Sequence, residues 1–136
     1  MRVFLDANVL FSAAKSPGAM RSMLERLRAV GHTSYADGYV IAEARRNLEA
    51  KGRGAVDALD VVLRLVEVAP FQPAASTEGA TDMLPEKDRP VLLAAIRLRC
   101  DALVTGDRTH FGLLYGKTIQ GVTIYSPRSL AETLAL

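Results

Sequence analysis

Four acidic residues, Asp6, Glu43, Asp88 and Asp107, stand out in this 136-residue sequence by what surrounds them. Asp6 ends the apolar run Val3-Phe4-Leu5. Glu43 lies among the apolar positions of a helical stretch. Asp88 opens another, with Pro90 in its first turn. Asp107 follows Ala102-Leu103-Val104-Thr105-Gly106. Two like charges ~4 Å apart repel by about 4 kcal/mol at an effective dielectric of about 20. If the four carboxylates converge, either their pKa values rise or a divalent cation binds. Hard oxygen donors favour Mg²⁺ or Mn²⁺ over Zn²⁺. Such a cation can activate water and clamp a phosphate.

Taken singly, each acid also has a plainer role. Asp88 can cap a helix, Asp107 can serve a turn, and Glu43 can face solvent beside Arg46 or Asn47. Asp6 is the hardest to dismiss, because the end of a buried strand is a poor place for an idle charge. Their order along the chain carries more weight than any one of them.

The elements that must position these acids follow from the hydrophobic pattern. Val3–Leu5 reads as a buried strand. Pro17-Gly18 opens a helix with Met20, Met23, Leu24, Leu27 and Val30 on one face, ended by Gly31. His32–Tyr35 reads as a second strand, and Tyr39–Lys51 as a helix with the stripe Val40, Ile41, Ala44 and Leu48. Val56, Leu59, Val62, Leu63 and Val66 mark the next helix, Val66–Ala69 a short strand, and Phe71–Thr81 a loop. Asp88–Arg99 reads as a helix in which Pro90 costs nothing. Strands at Ala102–Thr105 and Val122–Tyr125 and a helix from Arg128 complete the chain. Short buried strands alternating with helices predict a three-layer α/β/α sandwich with a central parallel sheet, in one domain spanning 1–136. Sites in such sheets lie outside the carboxyl ends of the strands, where Asp6 and Asp107 fall.

The chain resembles the PIN-domain family, the fold of many metal-dependent ribonucleases and of the toxins of type II toxin–antitoxin modules. Four segments carry the resemblance. They are Phe4-Leu5-Asp6-Ala7-Asn8-Val9-Leu10, Ile41-Ala42-Glu43-Ala44-Arg45-Arg46-Asn47-Leu48, Glu86-Lys87-Asp88-Arg89-Pro90-Val91-Leu92-Leu93-Ala94-Ala95, and Cys100-Asp101-Ala102-Leu103-Val104-Thr105-Gly106-Asp107-Arg108-Thr109-His110-Phe111. Together they span nearly the whole chain. The resemblance implies that Asp6, Glu43, Asp88 and Asp107 coordinate Mg²⁺ or Mn²⁺ and activate water against an RNA phosphodiester. Asn8 and Thr105 would orient a carboxylate or water. It also implies an antitoxin protein as partner and a homodimer. The family often has an acid where His110 stands. His110 is expected to cap a turn or lie on the surface, with a place near the metal or on a phosphate as the alternative; His32 is expected to be structural, and Asp101 to serve a cap or turn.

Composition fits an RNA substrate once it is sorted by position. The net charge is +2, from 17 basic and 15 acidic residues, and 13 of the 17 are arginine. Setting the four acids apart leaves 11 against 17, about +6 for the remainder. Arginine is suited to bidentate phosphate contact. Arg45, Arg46, Arg89 and Arg108 are the candidate substrate contacts, with Arg53 a further one. Aromatics are 6% of residues, too few for a broad base-stacking platform, which leaves Tyr35, Tyr39 and Tyr115 as single contacts. The lone Cys100 excludes an internal disulfide and a thiolate zinc site. The N-terminus does not read as a signal peptide, and no run approaches a membrane span, so a cytoplasmic protein with no membrane contact is expected.

Two other function classes compete with metal-dependent RNA hydrolysis. One is an inactive RNA-binding or protein-interaction module of the same fold, which the presence of all four acids disfavours. The other is a phosphotransfer protein. Phosphatases of that type need an aspartate two residues beyond Asp6, where Asn8 stands, and receivers need a late lysine after a strand, which Lys117 is not.

Overall fold

The computed structural model describes every residue except 74–78 and 80, together with the side chain of Arg53. Part of the expected 71–81 loop and the Arg53 contact therefore lie outside the described residues. The chain runs β1 (Arg2–Leu5), α1 (Ala7–Lys15), α2 (Ala19–Ala29), β2 (Thr33–Asp37), α3 (Gly38–Glu49), α4 (Arg53–Leu63) and β3 (Val66–Ala69). It continues through α5 (Arg89–Arg97), β4 (Ala102–Val104), α6 (Arg108–Phe111), β5 (Thr118–Ile119), β6 (Val122–Tyr125) and α7 (Pro127–Leu134). The sheet order is β3-β2-β1-β4-β6-β5, parallel throughout except for β5 against β6.

This order fixes where a site can form. The chain builds outward from β1 to β2 and β3, then returns to the other side of β1 to lay down β4 and β6. Crossovers between parallel strands are right-handed almost without exception, so building in both directions from β1 puts helices on both faces. The reversal falls between β1 and β4, so the crevice beyond their carboxyl ends is the switch point of the sheet. β1 and β4 are apolar on both faces because both faces are covered: Val3, Phe4, Leu5, Leu103 and Val104 are fully buried.

The α/β architecture is as the alternation of patterns predicts. Three elements differ from the sequence expectation. Residues 7–15 form α1, outside the elements that the hydrophobic pattern marks. Ala7, Val9, Leu10, Ala13 and Ala14 are its buried face, packed on α3 and α4. β5 adds an antiparallel edge, and its two residues are too few to show a period. α6 is a single turn between Asp107 and Phe111.

α3 carries Glu43, and its start is set by Asp37, whose Oδ1 accepts from Val40 N at 3.2 Å. Asp37 is buried, 3.9 Å from Arg97 Nη2. Burial pushes its carboxyl above the ordinary range against these favourable contacts. Asp37→Ala is expected to cost about 1–2 kcal/mol, the worth of a lost cap, while Asp37→Asn keeps most of it. Urea unfolding of the two variants checks this, and an unchanged Asp37→Ala midpoint would contradict it.

Candidate metal centre

Each acid reaches the switch-point crevice from a different element. Asp6 follows β1 and caps α1, its Oδ1 accepting from Ala7 N at 2.7 Å. Glu43 projects from the middle of α3, half-buried. Asp88 ends the 3-10 turn Glu86–Asp88 just before α5 and makes no side-chain cap, so its carboxylate is free for other use. Asp107 follows β4 and caps α6, its Oδ1 accepting from His110 N at 3.1 Å. All four line one open, polar pocket of about 250 Å³ with Asn8, Asn47, Lys87 and Gly106.

A hydrogen-bond web sets the floor. Thr105 is fully buried. Its Oγ1 donates to Asp6 Oδ2 at 2.7 Å and accepts from Asp107 N at 3.1 Å. Asn8 Nδ2 donates to the same Asp6 oxygen at 3.2 Å and to Thr105 Oγ1 at 3.3 Å, and Asn8 Oδ1 accepts from Gly106 N at 2.8 Å. A Cβ at position 106 would stand 3.3 Å from that oxygen, so the glycine permits the close approach. Asn8 and Thr105 thus tie the end of β1 to the end of β4. Two donors on Asp6 Oδ2 suit the ionised form.

Electrostatics oppose that form. Asp6 is 4% exposed, and burial pushes its pKa from 3.8 to about 6; the charges of Glu43 and Asp88 push the same way. Asp88 is also raised, first by burial, while His110 pulls it back. Without metal, the folded state holds the Asp6 proton to a higher pH than the unfolded chain does. It therefore binds more protons between pH 4 and 6, and stability falls as pH rises through that window. The Asp6 share is on the order of 2–3 kcal/mol. Melts in chelator from pH 4 to 7 should show a steeper loss for wild type than for Asp6→Asn. Parallel curves would contradict the assignment.

His110 belongs to this cluster, so the structure favours the alternative that its sequence context ranked second to a turn or surface role. Its Nδ1 stands 2.8 Å from Asp88 Oδ2 and 2.9 Å from Asp107 Oδ2. One ring N–H cannot point along both directions, and it is aligned with neither. Asp88 Oδ2 and His110 Nδ1 are left buried and unpartnered. Oxygen and nitrogen donors crowded together without partners fit a divalent cation. The donor atoms of Asp88, Asp107 and His110 all lie within 4.8 Å of one another, a grouping that does not include Asp6 or Glu43. Asp6 and Glu43 line the pocket beside it.

The cations divide. Lys87, which the sequence did not single out, lines the pocket. Arg46 and Arg108 are exposed; burial pushes the Tyr39 and Tyr115 phenols above the ordinary range, and the nearby charges of Arg46 and Arg108 offset part of that rise. Arg45 lies 3.7 Å from Asp60. The structure does not bring Arg89 into the pocket: its Nε donates to Leu84 O at 3.0 Å, and it lines a separate apolar cavity. The three tyrosines spend their hydroxyls on the protein. Tyr115 donates to Thr105 O at 2.7 Å and Tyr39 to Lys87 O at 2.6 Å, while Tyr35 accepts from Arg2. Tyr39 thereby links the Glu43 helix to the Asp88 turn. His32 Nδ1 lies beside the terminal amine, and Asp101 Oδ2 accepts from Arg2 N at 2.8 Å; both sit by the start of β1. No helix among the described residues is long and apolar enough to cross a membrane.

Comparison with solved structures shows the same fold. A chain of VapBC2 from Rickettsia felis, bound to a DNA fragment from its promoter, superposes with a TM-score of 0.67 at 20% identity, covering 93% of this chain and 98% of that one. FitAB bound to the IR36 DNA fragment gives 0.58 at 16%, covering 92% and 94%. FitAcB from Neisseria gonorrhoeae gives 0.56 at 17%, covering 93% and 98%. No curated protein matches the sequence significantly. The PIN domain family model matches residues 2–109, from the strand that ends at Asp6 to the turn after Asp107, and the chain belongs to the PIN-domain family.

Proposed function

We propose that this protein is a metal-dependent endoribonuclease, with Asp6, Glu43, Asp88 and Asp107 as ligands of Mg²⁺ or Mn²⁺. The observation that carries this reading is the convergence of four acids from four separate elements on one polar pocket at the switch point of the sheet. Nothing in folding requires that convergence, because desolvation and mutual repulsion make it costly. When bound, a divalent cation supplies charge neutralisation for the phosphodiester and acidifies a coordinated water. The chain's own groups do the rest. Thr105 and Asn8 hold the Asp6 carboxylate in one orientation, which spares reorganisation during reaction. Lys87 at the rim, with Arg46 and Arg108 outside it, would meet the phosphate oxygens. Such contacts give affinity without sequence choice. Asp37 and the Tyr39 hydroxyl hold Glu43 and Asp88 in register.

Incubation of the purified protein with a labelled structured RNA tests the proposal. Internal cleavage should appear with Mn²⁺ or Mg²⁺ and stop with EDTA. A folded, metal-loaded protein that binds RNA but leaves every RNA intact supports the alternative, an RNA-binding module. The likeness to chains of VapBC2 and FitAB supports a further role as the toxin of a toxin–antitoxin pair, acting in the cytoplasm. Its proposed partners are a small antitoxin protein and a second copy of this chain.

A further inference from the structure

We propose that His110 is itself a metal ligand, and that Asp88 Oδ2, Asp107 Oδ2 and His110 Nδ1 form a mixed oxygen–nitrogen face that takes a first-row transition cation in preference to Mg²⁺. This inference rests on the divalent-metal reading above and narrows it.

Cis ligands at about 2.1 Å from an octahedral centre stand about 3 Å apart. The imidazole nitrogen lies 2.8 and 2.9 Å from the two carboxylate oxygens. The spacing suits neighbouring ligands on one ion, and equally an imidazolium paired with both carboxylates, although the ring N–H points squarely at neither oxygen; the sign of the His110→Asn effect on metal affinity separates the two. The unpartnered Asp88 oxygen points the same way. Asp88 is 8% exposed, and this oxygen faces His110 rather than the α5 backbone it could have capped.

Placement of the ring is built into the chain. The His110 backbone N–H is held by Asp107 Oδ1 at 3.1 Å, and the next residue, Phe111, is fully buried. That clamp and that anchor fix the backbone from which the imidazole projects toward the two carboxylates. The donor set then decides the ion. Mg²⁺ demands oxygen and keeps its waters, whereas imidazole favours transition ions. To ligate, Nδ1 must offer its lone pair, so the ring proton resides on Nε2 or the proton is released on binding.

Mn²⁺ added to the untagged full chain provides the test, read by pulsed electron paramagnetic resonance for ¹⁴N coupling and by calorimetry for affinity. The sequence has two histidines, and His32 lies near the terminal amine at the start of β1, so a ¹⁴N imidazole signal is assignable. The expected result is ¹⁴N modulation on bound Mn²⁺ that vanishes in His110→Asn and persists in His32→Asn. Mn²⁺ affinity should fall about 10–100-fold in His110→Asn, with a smaller change for Mg²⁺. Saturable Mn²⁺ binding without ¹⁴N coupling, or with affinity unchanged in a folded His110→Asn, overturns the inference and leaves the carboxylate site standing. No saturable binding of either ion by the folded wild type would overturn both readings. An imidazolium that merely bridges the two carboxylates predicts the opposite sign, since its removal would raise metal affinity.

Discussion

Asp6→Asn should abolish RNA cleavage, lowering the rate at least about 10²–10³-fold, while the chain stays folded. The substitution is nearly isosteric, so the fully buried residues around it keep their packing. The remaining carbonyl oxygen can still accept from Ala7 N and cap α1. What is lost is the negative charge at the end of β1, the most buried of the four acids, and with it the Oδ2 acceptor for Thr105 Oγ1 and Asn8 Nδ2. Asn8→Ala provides the graded comparison. It removes a donor to Asp6 Oδ2 and the acceptor for Gly106 N, but no metal ligand, and should cost about 10–100-fold. Single-turnover rates with saturating Mn²⁺, alongside melting temperatures, separate the two effects. An Asp6→Asn variant that cleaves within a few-fold of wild type would remove Asp6 from the site.

Phe111→Ala should destabilise the protein by about 3–5 kcal/mol, the range for emptying a fully buried aromatic site. Phe111 ends the four-residue α6, and a helix that short has no stability of its own. Its burial therefore fixes the whole turn, including Asp107 and His110. The same variant should weaken Mn²⁺ binding, because two proposed ligands lose their anchor. Urea unfolding measures the first effect and calorimetry the second. A loss below about 1 kcal/mol would show that the turn is held elsewhere.

Much of the fold could be read from residue pattern, because the central strands β1 and β4 are short apolar runs closed by polar residues. Asp6 and Asp107 were visible for that reason: charges stand where Val3-Phe4-Leu5 and Ala102-Leu103-Val104 stop. α1 was hidden because Ala7, Val9, Leu10 and Phe11 crowd against the strand before them and blur the period. β5 was hidden because two residues show no alternation. The roles of His110 and Lys87 depend on tertiary placement. Asp88 reaches His110 only when the 3-10 turn before α5 meets the turn after β4, and no local pattern encodes that meeting. Arg89 shows the converse: adjacent to Asp88 in sequence, it leaves the pocket for the Leu84 carbonyl. The tyrosine hydroxyls follow the same rule, since a phenol in the sequence does not reveal whether its partner is a base or a backbone carbonyl.

The four acids are proposed to form a divalent-cation site. Calorimetric titration of Mn²⁺ into metal-free protein at neutral pH tests it most directly, with Asp107→Asn measured alongside. Saturable, stoichiometric binding by wild type, lost or severely weakened in a folded Asp107→Asn, is the result the geometry predicts. A folded wild type that shows no saturable binding into the millimolar range would contradict it.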